Sequence, residues 1–188
     1  MADLWDDEEF WDLEGERFQK TILPFVVAIL ADGMMAGYTG IGVAFDREMV
    51  NQMANEYAET YTYELVKGIN QTSREFLQDA IPKWMQSGEH LDVLVDQIAQ
   101  SGMFGEVRAQ MIAMTETTRA YHQGKVASWK SSEMVERFRF MTAEDELVCP
   151  ICSANNGQTF GLDDMENAPP LHVNCRCNSI PVLKGETE

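Results

Sequence analysis

The four cysteines of this 188-residue chain all lie in its last quarter, and a histidine lies close to the second pair. Cys149 and Cys152 form a C-x2-C pair, His172 precedes Cys175 by the same spacing, and Cys177 follows two residues later. Thiolate and imidazole groups at such spacings are typical ligands of tetrahedral Zn²⁺. We therefore predict one structural zinc ion, bound by four of these five side chains.

The fourth ligand is either a histidine or a cysteine. Cys149, Cys152 and Cys175 occur in both ligand sets. We favour His172, because a two-residue spacing lets both side chains of a knuckle turn inward. Cys177 lies two residues beyond Cys175 in an extended segment and can also point to the same side. A disulfide is the alternative staple and would need an oxidising environment, and unpaired thiols are a third reading.

The sequence of the segment 135–188 is typical of a small β module. Residues 135–140 alternate between apolar and charged side chains, which is typical of a half-buried strand. Two further short segments, 158–160 and 178–183, are also extended candidates. A module of this size has too little apolar surface to fold by itself, so it needs a staple or a surface to rest on.

Residues 17–134 show the period of amphipathic helices. Apolar side chains recur every three or four residues between 49 and 65 and again between 104 and 121. The predicted fold is therefore mainly α. An elongated helical body is followed by a small α+β, zinc-knuckle-like C-terminal module with short antiparallel strands.

Several residues predict where the helices of the body bend or end. Pro24 predicts a bend in the first helix, and the four glycines between 33 and 42 predict a turn-rich connection after it. Gly68 predicts the end of the next long helix. The sequence Thr-Ser-Arg-Glu at 72–75 has the pattern of a capping box and predicts the start of another.

The first sixteen residues combine eight acidic side chains with apolar and aromatic ones. This segment, 1–16, is either a solvated terminus or a docking segment that binds a partner through Trp5, Phe10 and Trp11. The apolar stretch 22–31 is about half of the ~20 residues that a bilayer span requires. We expect it to be a buried or interface helix, and the acidic leader argues against a secretory signal.

The charge of the chain excludes several kinds of partner. It has 14 Lys and Arg against 31 Asp and Glu, for a formal net charge of −17. Nucleic-acid binding needs clustered basic residues that contact phosphates, and an anionic membrane surface attracts basic segments. We therefore expect no sequence-specific contact with nucleic acid and no membrane association.

The second half of the chain has several short motifs in one order with compact gaps. They are Thr115-Glu116, Val148-Cys149-Pro150-Ile151-Cys152, Gly157-x-x-Phe160, Pro169-Pro170-x-His172-x-Asn174-Cys175-Arg176-Cys177 and Pro181. Their order resembles the phage head morphogenesis family, the minor head proteins of tailed bacteriophages such as protein F of phage Mu. The resemblance covers about 104–183, and it departs from the family at Val173, where proline is usual, and at His122, where asparagine is common.

The resemblance implies a minor structural protein of the virion. Such a protein is made in the cytoplasm of the bacterial host, enters the procapsid in few copies and lies inside the head near the portal vertex. Its implied partners are the portal protein, the major capsid protein or both, with a further role in genome packaging or ejection. The alternative is a zinc-stapled protein-interaction module of a cellular protein without a viral role.

We expect no enzymatic activity. The chain has three histidines, and no G-x-S-x-G, P-loop or G-x-G-x-x-G motif accompanies them. The C-P-x-C pair is not set in the βαβ frame of thioredoxin-like redox sites. Glu116, in the Thr115-Glu116 pair, is either a solvated carboxylate or the partner of Arg176 in an ion pair that braces the module on the helical body.

Overall fold

The computed structural model describes residues 8–87, 90–102, 105–143 and 145–186. Within them the helices are α1 (Glu8–Gly40), α2 (Arg47–Ser87), α3 (Leu91–Gln100), α4 (Glu106–Ser132) and α5 (Pro150–Asn155), and Met165–Asn167 forms a short 3-10 helix. The strands are β1 (Val135–Met141), β2 (Thr159–Gly161) and β3 (Asn178–Leu183). The predicted mainly α fold with a small, antiparallel C-terminal sheet is confirmed.

The chain divides into two compact units, each assembled from segments that are distant in sequence. The first, the helical unit, combines Met1–Pro24 with Glu59–Gln110. The second, the mixed unit, combines Phe25–Ala58 with Met111–Glu188. All four cysteines therefore belong to the mixed unit.

Helix α2 runs without a break through Gly68 and 72–75, where the sequence predicted the end of one helix and the start of another. The hydroxyl groups of Thr72 and Ser73 donate hydrogen bonds to the carbonyl oxygens of Gly68 and Ile69, at 2.7 and 2.9 Å. They bond one turn back within a continuous helix instead of capping a new one. Both predicted helix boundaries are therefore wrong.

Contacts within the helical unit explain why α2 continues. The side-chain amide of Asn70 donates to the carbonyl oxygen of Trp11 at 3.3 Å. The guanidinium group of Arg108 donates to Oγ of Ser73 at 3.1 Å and to the carbonyl oxygen of Ile69 at 3.4 Å. These tertiary bonds surround the stretch where helix propensity is weakest, and such contacts commonly override propensity.

Two glycines allow the backbones of α1 and α4 to touch within the mixed unit. A Cβ atom at Gly33 would overlap the carbonyl oxygen of Tyr121, and one at Gly124 would overlap the carbonyl oxygen of Leu30. Helix α1 continues almost to the end of the glycine-containing stretch. The turn-rich connection predicted over 33–42 is therefore wrong, because the first glycines of that stretch serve helix packing.

Part of α1 is also apolar enough to resemble a membrane span. Trp11–Gly40 meets that criterion by length and composition alone, with a mean hydropathy of 1.6 over its window. The core helices of soluble proteins meet the same criterion. In the mixed unit the side chains of Leu30, Met34 and Tyr38 are buried and belong to the core, whereas Phe25 is exposed.

The core of the mixed unit forms around Trp129 of α4, which is fully buried. Its ring lies among apolar side chains from the end of α4, from β1 and from the loop after the 3-10 helix. Together with Trp129, the cluster consists of the buried residues Val126, Val135, Phe138 and Ala168 and the partly buried residues Ile41, Phe160, Leu162 and Met165.

Strand β1 is the centre of the sheet, with β2 and β3 antiparallel on its two sides. Phe138 lies opposite Phe160 of β2 and Pro181 of β3. A shift of register between Val135 and Arg137 marks an irregularity of the bulge type. Because such a shift changes the face on which later residues lie, Val135 and Phe138 are both buried although they are three residues apart.

Candidate metal centre

The first pair of candidate ligands lies at the start of α5, where the chain changes from extended to helical. Cys149 is the N-cap residue, with φ −75° and ψ 161°. Pro150 follows in the first turn of the helix. An N–H group in this turn has no partner within the helix, so proline loses no hydrogen bond there, and its restricted φ favours the helical conformation. The N–H of Cys152 donates to Sγ of Cys149 at 3.4 Å. The C-P-x-C sequence thus brings its two sulfur-bearing residues together by local geometry.

The second ligand cluster lies in a tight turn before β3. The N–H of Cys175 donates to the carbonyl oxygen of His172 at 3.1 Å. Asn174 adopts a positive φ of 61°, a conformation that asparagine tolerates better than most residues. This turn directs the imidazole of His172 and the thiol of Cys175 towards Cys152.

Three distances define the cluster. Nε2 of His172 lies 3.2 Å from Sγ of Cys149 and 3.2 Å from Sγ of Cys152. The Sγ atoms of Cys152 and Cys175 are 3.7 Å apart. A tetrahedral ion with Zn–S bonds of about 2.3 Å separates neighbouring sulfur ligands by about 3.8 Å, whereas a disulfide brings two sulfur atoms to about 2.05 Å. All four cysteines are free thiols, and their spacing suits an ion better than a covalent bond.

All five predicted ligand residues meet in this cluster, as two triads that share one residue. Cys149, Cys152 and His172 form the first triad, and Cys152, Cys175 and Cys177 form the second. Within each triad the donor atoms lie within 4.8 Å of one another. Cys152 therefore occupies the central position, because both triads depend on its sulfur atom.

The hydrogen bond of the second ring nitrogen of His172 leaves Nε2 available as a candidate ligand atom. Nδ1 of His172 lies 2.8 Å from the carbonyl oxygen of Val173. A carbonyl oxygen only accepts hydrogen bonds, so a neutral imidazole in this position carries its proton on Nδ1. The lone pair is then on Nε2, the atom that faces the cysteines. Metal-bound histidines are commonly oriented by such a bond from the other ring nitrogen.

Burial and hydrogen bonding shift the pKa values of three of the thiols. It raises the pKa of Cys152, and it raises the pKa of Cys177 as well. The backbone N–H of Cys152, by contrast, lowers the pKa of the Cys149 thiol. Buried thiols become thiolates most readily when a cation replaces their protons. The donor set therefore suits a soft divalent ion such as Zn²⁺.

Two threonines of α4 hold the second ligand cluster in place. The N–H of Asn174 donates to Oγ1 of Thr115 at 3.0 Å. The hydroxyl of Thr118 lies 3.2 Å from the carbonyl oxygen of Cys175 and 3.1 Å from that of Met114, so its single proton is shared between the two. Residues three apart share a helix face, so both hydroxyls point to the same turn. The sequence predicted that residues near Thr115 hold the C-terminal module on α4, but Thr118 was not predicted. Thr118 follows Thr115 by three residues in the sequence Thr-Glu-Thr-Thr, and this spacing could have indicated that both lie on one helix face.

The charged brace differs from the predicted one. The carboxylate of Glu116 pairs with Arg119 at 3.1 Å, on the same helix. The guanidinium group of Arg176 pairs with Asp145 at 2.7 Å, within the C-terminal module. Of the two alternatives for Glu116, the brace with Arg176 is replaced by two separate pairs, and the solvated carboxylate does not fit a side chain that is 20% exposed and paired with Arg119. Hydroxyl groups join the module to α4 instead.

The aromatic residues of the predicted docking segment are only partly described. Trp5 lies outside the described residues. Phe10 and Trp11 belong to the first turns of α1, which begins at Glu8. The side chain of Trp11 is half-buried, and its carbonyl oxygen accepts the bond from Asn70. A docking role for this segment remains a prediction.

Comparison with models of protein families gives a match. The model of a family described as phage Mu protein F like protein matches residues 75–180. The match covers slightly more than half of the chain and contains α4 and all five candidate ligands. Comparison with curated proteins and with solved structures gave no significant match.

Proposed function

Because the chain belongs to the phage Mu protein F-like family, we propose that it is a minor head protein that docks near the portal vertex of a tailed bacteriophage during procapsid assembly. The family is one of phage head morphogenesis proteins, whose role is structural. Membership associates the chain with the virion and with other components of the head. The family match over 75–180, which contains the whole candidate metal centre, is the observation that carries the proposal.

The proposed partners are the portal protein, the major capsid protein or both. The protein would be made in the host cytoplasm, lie inside the head and support genome packaging or ejection. Its net charge of −17 supports an action through protein contacts, since packed DNA would repel it. Sequence-specific binding of nucleic acid forms no part of this function.

Within this function a zinc ion would stabilise the C-terminal module, 135–188. Its ligands would be Cys149, Cys152, His172 and Cys175, with Cys177 as the alternative to His172. When bound, the ion supplies a cross-link between the start of α5 and the turn before β3. The hydroxyl groups of Thr115 and Thr118 would then hold this cross-linked module on α4 of the helical body, 17–134.

The position of the protein in assembled particles tests this proposal. Procapsids are produced with and without the chain and are reconstructed without imposed symmetry by electron cryomicroscopy. We expect additional density at the portal vertex that disappears when the chain is omitted. Equal density at every vertex, or a chain that does not purify with procapsids, would contradict the proposal and favour a cellular interaction module.

A further inference from the structure

A cavity of about 530 Å³ lies within the mixed unit, apart from the candidate metal centre. Helix α4 lines it with the side chains of Tyr121, Lys125 and Trp129. Residues of α1 and β3 and the following Glu186 complete the lining. Its volume lies in the range of about 300–1,000 Å³ that is typical of small-ligand sites, which combine apolar walls with a few polar groups.

The basic group at this cavity is the ammonium group of Lys125, a residue that is only 7% exposed, and Asn178 and Glu186 are polar residues of the same lining. Nζ donates to Oδ1 of Asn178 at 2.9 Å and to the carbonyl oxygen of Ser179. It lies 5.1 Å from the centroid of the Trp129 ring and 5.9 Å from that of Tyr121. Each of these partners is neutral.

The charge of Lys125 has no counterion among the residues that the structure describes around it. The adjacent His122 is neutral as well, because burial lowers its pKa to about 3. The carboxylate of Glu186 accepts the N–H of Leu183 at 3.0 Å. Burial lowers the pKa of Lys125 to about 8, as expected for a desolvated cation without an anion beside it.

The hydrogen-bonding capacity of Lys125 is also incompletely used. An ammonium group has three N–H donors, and in the described part of the chain two oxygen atoms accept from it. One donor therefore remains for a further acceptor, and the faces of two aromatic rings are all that offsets the positive charge in the described surroundings. A buried charge is costly unless an opposite charge pairs with it.

We propose that this cavity binds a carboxylate attached to an apolar or aromatic group, with Lys125 as its counterion. The carboxylate accepts the remaining N–H of Nζ, and the apolar group contacts the half-buried ring of Tyr121 and the side chains of Ile180 and Pro181 in β3. A free carboxylic acid and the C-terminal residue of a partner chain share this chemistry. The inference is independent of the family assignment, since it rests on the cavity and on the surroundings of one lysine.

Phenylacetate and its uncharged analogue phenylacetamide are the probes for the first test. Binding of each to the full chain is measured by isothermal titration calorimetry at constant ionic strength. We expect phenylacetate to bind at least about tenfold more tightly, because a charge-assisted hydrogen bond is roughly twice as strong as a neutral one. Equal affinity for the two compounds, or binding of neither, overturns the proposal.

Two lysine variants locate the site. Lys125→Met should abolish the preference for phenylacetate over phenylacetamide. Lys130→Met is the matched control, because Lys130 lies on the same helix but is partly exposed and pairs with Asp163. The control should retain the preference. A preference that survives in Lys125→Met, or that is lost in Lys130→Met, places the carboxylate elsewhere and overturns the proposal.

The unmodified chain provides a test that does not depend on the folding of a variant. A carboxylate that pairs with Nζ raises the pKa of Lys125, so binding just above pH 8 takes up protons. Tyr121 and His122 on α4 and Glu186 after β3 are the other titratable groups near the amine, and the cavity-lining residues of α1 carry none. Calorimetry in two buffers of different ionisation enthalpy measures this uptake, and its absence overturns the proposal.

Two short peptides that end in phenylalanine then identify the source of the carboxylate. One has a free C-terminal carboxylate and the other a C-terminal amide. Tighter binding of the free-carboxylate peptide than of phenylacetate indicates the end of a partner chain. Binding of phenylacetate alone indicates a free acid.

Discussion

Cys152 contributes to both triads of the candidate metal centre, so its substitution affects that centre more than any other single change. Cys152→Ser replaces a soft sulfur ligand by a hydroxyl group that binds Zn²⁺ poorly. We expect the zinc content to fall from about one ion per chain to near zero, because structural sites need all four ligands. Limited proteolysis should then cut within 135–188 and leave the helices of the body intact.

Cys177→Ser is the matched control for this experiment. If His172 is the fourth ligand, this variant retains both its zinc and its resistance to proteolysis. Loss of zinc from Cys177→Ser together with its retention in His172→Ser would assign the fourth position to Cys177. A folded Cys152→Ser variant that keeps its zinc, or an unmodified chain that binds none, would contradict the metal centre.

His122 makes the stability of the mixed unit depend on pH. Burial, reinforced by the charge of Lys125, lowers its pKa from about 6.5 to about 3. The unfolded chain therefore binds a proton at a higher pH than the folded chain does, and stability decreases as the pH falls from about 6.5 towards 3. His122→Asn removes the titrating group and should reduce this loss by about 2–4 kcal/mol.

Urea unfolding at a series of pH values measures the effect of His122→Asn. His90→Asn is the control, because His90 is highly exposed and caps a helix. The control shows what the same change of residue does at an exposed site. An identical slope for His122→Asn would show that His122 ionises in the folded chain as it does in the unfolded one.

At the scale of elements, the contact between α1 and α4 depends on residues without side chains. Gly124→Ala would place a Cβ atom against the carbonyl oxygen of Leu30 and force the two helices apart. We expect a loss of about 1–3 kcal/mol in the free energy of unfolding, which is typical of overpacking. Chemical denaturation of the purified variant measures this loss.

Gly68→Ala is the opposite case and serves as the control. Gly68 lies inside α2 with open space where its Cβ atom would be. Alanine is a better helix former by about 1 kcal/mol, so this variant should be more stable than the unmodified chain. An equal gain in stability for Gly124→Ala would contradict the close contact between the backbones of α1 and α4.

At the scale of the whole molecule, the acidic segment 1–16 is the predicted docking element. We expect its deletion to weaken capture of the portal protein at least about tenfold, because aromatic side chains often dominate interface energies. Affinity capture with purified portal protein measures the effect. Stability should change less, by the loss of local contacts such as the bond between Asn70 and Trp11. Equal capture by the truncated and full chains would contradict a docking role.

The sequence alone determined the features that depend on near neighbours. The spacing of Cys149 and Cys152 places both at one helix start, and the spacing of His172 and Cys175 closes one turn. The alternation of β1 predicted a strand, and the strand was found at 135–141. Each of these signals acts within about four residues, where backbone geometry leaves few alternatives.

The tertiary structure decided what depends on residues far apart in the chain. The local conformational preferences of Gly33 are compatible both with the end of a helix and with a position inside a helix against Tyr121. The packing of the helices determines that it takes the second position. Arg176 pairs with Asp145 and not with Glu116. The hydrogen-bond partners of Lys125 lie beside it only when α4 and β3 are in contact. Such contacts are decided by the global arrangement of helices and strands, because many distant pairs satisfy the same local pattern equally well.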